Sequence, residues 1–213
     1  MKTTTNVIII LLLFQMTNAQ NSDTQKQIKN LVDTGRDHII QIALDEIQPK
    51  DRAKLTQEDF HFIKVMVSDK RIMVYFGYNV IYVPKNISVY TDITVELPSR
   101  TISMSNAGSG SKSSFFVSTP ENKKIIDFIL NAIGTDKSIL KKGNRWSLQM
   151  IIYEEDTTYT VDTSSRDPYL GGGFSKEEIH KETGEILSTL SGHYEPAPII
   201  PGTEEEKFIE ITN

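Results

Sequence analysis

The chain has 213 residues, a formal charge of −5 and no cysteine. The missing cysteine excludes a disulfide framework, a cysteine nucleophile, thiolate metal ligation and a lipoprotein anchor, and the acidic balance argues against nucleic acid and anionic lipid as partners. Stability must come from a packed core, and the length suffices for one sizeable domain or two small ones.

Residues 1–19 carry Lys2, a polar spacer from Thr3 to Asn6, an apolar run from Val7 to Phe14 and small residues ending at Ala19. That layout predicts a secretory signal peptide cleaved after Ala19. The run of about eight residues falls short of the roughly twenty that a spanning helix needs. The expectation is an exported protein of the bacterial periplasm or cell surface, with no stable membrane insertion after cleavage. The bacterial assignment follows from the absence of disulfides in a secreted domain.

Ser22 to Ile47 reads as one long amphipathic helix, with Ser22 and Gln25 as a capping box and Pro49 as its stop. Gly35 interrupts its apolar stripe, which implies either a close approach of the sheet or a bend. Phe60 to Val67 reads as a strand, followed by a turn at Ser68-Asp69-Lys70-Arg71. Ile72 to Val83 reads as a long strand, apolar on both faces, with a bulge or bend at Gly77. Val89 to Leu97 alternates cleanly and predicts a half-exposed antiparallel strand.

Ser105 to Ser114, rich in Gly and Ser, reads as a flexible loop and as the boundary at 105–114 if there are two lobes. Thr119 and Pro120 open a second, shorter helix that Gly134 closes. Trp146 to Ile152 and Thr158 to Thr163 read as paired strands. A loop from Ser164 to Phe174 leads into a last hairpin, with Gly184 in its turn. Residues 196–213 read as an extended, acidic, proline-rich tail. The order of elements predicts a single α+β domain over residues 20–195, two helices packing on a curved antiparallel sheet.

The last hairpin carries a resemblance. Ile179-His180-Lys181-Glu182-Thr183-Gly184-Glu185-Ile186 is similar to the Ile-x-Lys-x-Thr-Gly-Glu-Ile hairpin of small exported bacterial domains, among them PepSY-type domains and NTF2-like or cystatin-like immunity proteins. It spans about forty residues, and Lys-x-Thr-Gly is also good turn chemistry in any hairpin. The resemblance implies an NTF2-like or cystatin-like fold and an immunity- or inhibitor-like binding role. The Gln-x-Val-x-Gly wedge of cystatin inhibitors is absent, which argues against protease inhibition.

No motif calls for a metal or a cofactor. His38, His61, His180 and His193 form neither His-Glu-x-x-His nor His-x-His, and no Gly-x-Ser-x-Gly elbow occurs. Asn86-Ile87-Ser88 matches an N-glycosylation sequon, and Asp156-Thr157-Thr158 resembles a bacterial O-glycosylation acceptor at Thr157. In the loop before the last hairpin, Arg166, Tyr169, Leu170 and Phe174 surround three glycines. Such a loop suits recognition of a protein partner, or else folds back over the core. The leading expectation is a non-enzymatic binding protein. The alternative is an NTF2-like enzyme with a small polar pocket lined by His38, His61 or Asp92.

Overall fold

The computed structural model describes residues 22–48, 54–135, 148–165, 172–194 and 206–212. The predicted signal segment, Trp146, the loop residues Arg166, Tyr169 and Leu170, and the tail up to residue 205 lie outside the described residues.

Two helices form where the periodicity predicts one. Helix α1 covers residues 22–33 and α2 covers Arg36–Glu46. The Thr34 hydroxyl donates to the Leu31 carbonyl at 2.6 Å, and Gly35 adopts φ 91°, ψ 162° before α2 begins. A Cβ on Gly35 would meet nothing within 4 Å, so the glycine serves the bend and not a close approach. The turn aims Ile39, Ile40, Ala43 and Leu44 of α2 into the core.

The fold is α+β, and its strands divide into two sheets where one curved sheet was expected. The first sheet has the order β11-β1-β2-β4-β5. Its strands are β1 Phe62–Val67, β2 Ile72–Gly77, β4 Ser88–Leu97, β5 Thr101–Gly108 and β11 Ile209–Glu210. The short β6, Ser113–Ser114, pairs with β4 beyond the end of β2. The second sheet has the order β10-β9-β8-β7-β3. It is built from β3 Val80–Val83, β7 Leu148–Glu154, β8 Thr158–Ser165, β9 Gly172–His180 and β10 Ile186–Tyr194. All its pairs are antiparallel except β3 with β7, which is parallel.

The division arises inside the segment read as one strand. Ile72 to Val83 breaks after Gly77, and the chain leaves the first sheet as β2 and enters the second as β3. A knot of rings fills the crossing: Phe60 packs tilted against Phe76 at 4.9 Å, and Tyr78 meets Phe116 edge-on at 5.4 Å. One cluster of buried residues runs from α2 through both sheets to Ile179.

Helix α3, Pro120–Ala132, begins and ends as expected. Its N-cap Thr119 accepts the Asn122 amide at 3.1 Å, and Gly134 closes it at φ 66°. The segment read as a loop over 105–114 is partly strand: residues 105–108 end β5, which pairs along β4. Likewise Phe174 lies in β9 and not in a loop. The tail returns as β11, antiparallel on the edge of β1.

Candidate functional site

Successive strand residues point to opposite faces of a sheet. On the first sheet, Val65, Val74, Phe76, Ile93 and Val95 are wholly buried on the side that packs against α2. The alternate positions build the other face. There Phe62, Gly77 and Asp92 stand in one row across the sheet, then Lys64, Tyr75 and Thr94, then Met66, Met73 and Glu96.

A groove of about 410 Å³ lies over that face, lined by Phe62, Lys64, Met66, Tyr75, Asp92, Thr94 and Ser105. Its floor depends on a glycine. A Cβ at Gly77 would stand 2.3 Å from the Phe62 ring, so glycine lets the ring lie across the neighbouring strand. Gly77 therefore makes room for an aromatic wall as well as ending β2. Of the bulge or bend that the sequence suggested, the strand pairings show no register shift there, and the chain turns away into the second sheet.

The polar groups sit at the two ends of this apolar floor. At one end Gln149 of β7 donates to Asp92 Oδ2 at 3.2 Å, joining the second sheet to the groove. At the other, Lys64 Nζ pairs with Glu210 of β11 at 3.1 Å. Between them the Tyr75 hydroxyl donates to Met73 Sδ at 3.3 Å. Burial pushes the Tyr75 phenol above its ordinary value, against a smaller opposing pull from Arg71.

A clamp beside the groove holds the tail. Arg71 Nη2 donates to Glu206 at 2.7 Å and Nη1 to Glu96 at 3.0 Å, and Ser68 Oγ also donates to Glu206. The Arg71 guanidinium lies 5.8 Å from the Phe208 ring centre. Burial alone would raise the Glu206 carboxyl. The hydrogen bonds from Ser68 and Arg71, with the Arg71 charge, outweigh burial and hold it below its ordinary value.

The second sheet carries its own polar cluster. Glu154 accepts Tyr82 Oη at 2.7 Å, Lys181 Nζ at 2.9 Å and the Lys85 amide at 3.3 Å. These bonds tie β3, β7 and the β9–β10 turn together. Burial raises the Tyr82 phenol strongly, and the bond to Glu154 adds to the rise. The cluster satisfies itself, which marks it as a joint.

The residues singled out in the sequence are scattered. His38 is exposed on α2. His61 Nδ1 accepts the Asn79 amide at 3.0 Å inside the aromatic crossing, a structural role. His180 receives the Glu182 amide at 3.3 Å in the last turn, while His193 stands opposite Gly173 at the far end of the same hairpin. Among the described residues no three His, Asp or Glu side chains form a metal-holding group.

Of the predicted recognition residues, Phe174 alone is described. It pairs with Gly192, and a Cβ there would stand 2.6 Å from the Phe174 ring, so the ring covers the glycine. The ring also borders a cleft of about 420 Å³ with Thr163, Ser175, Ser191 and His193. Of the predicted pocket residues, Asp92 alone lines the groove.

Phe62, Lys64, Met66 and Tyr75 were not singled out beforehand. Their signal was present: Phe62–Val67 and Ile72–Gly77 are apolar at both alternations, with Lys64 the one charge between them. No family model, curated protein or solved structure matches the chain.

Proposed function

We propose that the protein is an exported, non-enzymatic binding protein of the bacterial periplasm or cell surface, immunity- or inhibitor-like, that seats a segment of a protein partner in the groove. One observation carries this reading. The face of the first sheet turned away from α2 bears the half-buried Met66, Met73 and Tyr75 beside the buried Phe62, where a solvated face would be polar throughout. The exported address rests on the layout of residues 1–19. The chain's charge of −5 favours encounter with a basic partner surface.

The test is a comparative capture from the native envelope and its neighbours. Wild-type bait should recover a partner that Tyr75→Ala/Met66→Ala bait does not. Equal recovery by both baits overturns the groove as the site. A third bait, Phe174→Ala, asks the same of the cleft beside Gly192.

A second reading, an enzyme of NTF2-like type, draws on Asp92, which stands in the groove with Gln149 as its donor. Asp92→Asn separates the two. It would abolish turnover of a substrate, and it leaves capture of a protein partner largely intact.

A further inference from the structure

Strand β11 is only two residues long, Ile209 and Glu210, yet it meets a residue of the groove lining, Lys64. Glu210 pairs with Met66 across the β1 edge, which puts its side chain on the groove face, where it meets Lys64 at 3.1 Å. The Lys64 side chain is only 16 % exposed. The neighbouring backbone is held too, since the Ile211 amide donates to the Val65 carbonyl at 2.9 Å. The chain's own tail thus fills the cation of its groove with a carboxylate. The anchor of that tail, Glu206 on Ser68 and Arg71, lies one step outside the groove.

We infer that residues 206–212 are an exchangeable strap, and that the partner segment is an extended strand bearing a carboxylate that takes the place of Glu210 on Lys64. This rests on the groove being the binding site. Charge complementarity selects the occupant. A largely covered lysine side chain in a groove lined by Phe62, Met66 and Tyr75 favours an acidic side chain flanked by apolar residues, the pattern of Phe208-Ile209-Glu210-Ile211. Backbone pairing to the β1 edge supplies the rest, as in recognition by strand addition. The acidic surface steers encounter with a basic partner, while Lys64 reads one local carboxylate.

The probe is a fluorescein-labelled peptide copying residues 208–212, which lacks the Glu206 anchor, read by fluorescence anisotropy on the full chain. Arg71→Ala frees the strap without touching the groove lining. It should tighten probe binding about tenfold, because the competent state is no longer mostly closed. Adding Lys64→Met should remove the gain, and a probe with Gln in place of its Glu should not show it. Hydrogen exchange at the Ile211 amide, which should quicken in Arg71→Ala, reports strap release directly.

A released strap with unchanged probe affinity overturns the inference. So does tight binding that survives Lys64→Met, or an Ile211 amide that Arg71→Ala leaves protected. If partner capture depends on Tyr75 while the probe ignores Arg71, the groove stands as the site and only the strap falls.

Discussion

The two faces of the first sheet are made by the same strands and differ in what they meet. One face puts Val65, Val74, Phe76, Ile93 and Val95 against α2 with no exposed surface. The other puts Lys64, Tyr75, Asp92 and Thr94 around an open groove. Burial explains the apolar residues of the covered face completely. It explains Phe62 too, which is 8 % exposed, but not fully Met66 and Tyr75, which are half-buried on the open face, and that surplus is the ground for the proposed site.

The sharpest test of the contrast uses adjacent residues. Phe76 is wholly buried and packs against Phe60, so Phe76→Ala should cost about 3–5 kcal/mol of stability in urea unfolding. Tyr75→Ala, one position away on the groove face, should cost under about 1.5 kcal/mol and act on binding instead. Equal losses at the two positions would mean that the open face is a second core, and the groove reading would fall.

A smaller effect belongs at the bend that brings α2 onto the covered face. Gly35 holds φ 91°, ψ 162°, a region open to glycine almost alone, so Gly35→Ala should cost about 1–3 kcal/mol. No side chain stands within 4 Å of the added methyl, so the whole loss is backbone strain. A neutral result would show that the helices can fuse into the single one that their periodicity suggests.

Much of this was legible in the sequence where one face alone is buried. β4 alternates because α2 covers one side of it, and Thr119, Pro120 and Gly134 announced α3 by local chemistry. β5 was hidden: its first six residues are exposed, so no core imposes a pattern on Ser103, Ser105 and Asn106. The split of Ile72 to Val83 was hidden for the opposite reason. All four residues of β3 are buried and carry no phase. The parallel pairing of β3 with β7 joins segments far apart in the chain, which periodicity does not report. Of the groove residues, the sequence named Asp92 only as one lining residue of an enzyme pocket, and Lys64 and its partner Glu210 depend on β11 returning to β1.

The tail clamp allows a pH test of the open face. Glu206 has its folded value depressed, so its contribution is fully present above the unfolded carboxyl value and is lost as pH falls through the folded one. The strap should stay docked at neutral pH and detach only below the ordinary glutamate range of about 4.3. Hydrogen exchange at the Ile211 amide across an acid titration checks this. Glu206→Gln should abolish the acid step and leave a weaker strap at every pH. A strap that detaches near neutral pH would point to some other group.

The smallest effect expected lies away from both faces, in the outer pair of the Glu154 cluster. Lys85 and Asp156 form an ion pair, but their side chains are 45 % and 81 % exposed. Each group shifts the other's titration, Lys85 upward and Asp156 downward, chiefly through their hydrogen bond. Water screens such a pair, and holding two mobile side chains together costs entropy. Asp156→Ala should therefore leave the urea midpoint unchanged within error. Lys181→Ala, which strips a donor from the less exposed Glu154, should lower it measurably. If the order reverses, the outer pair holds the β7–β8 turn, and the joint of the second sheet lies nearer the surface than its hydrogen bonds indicate.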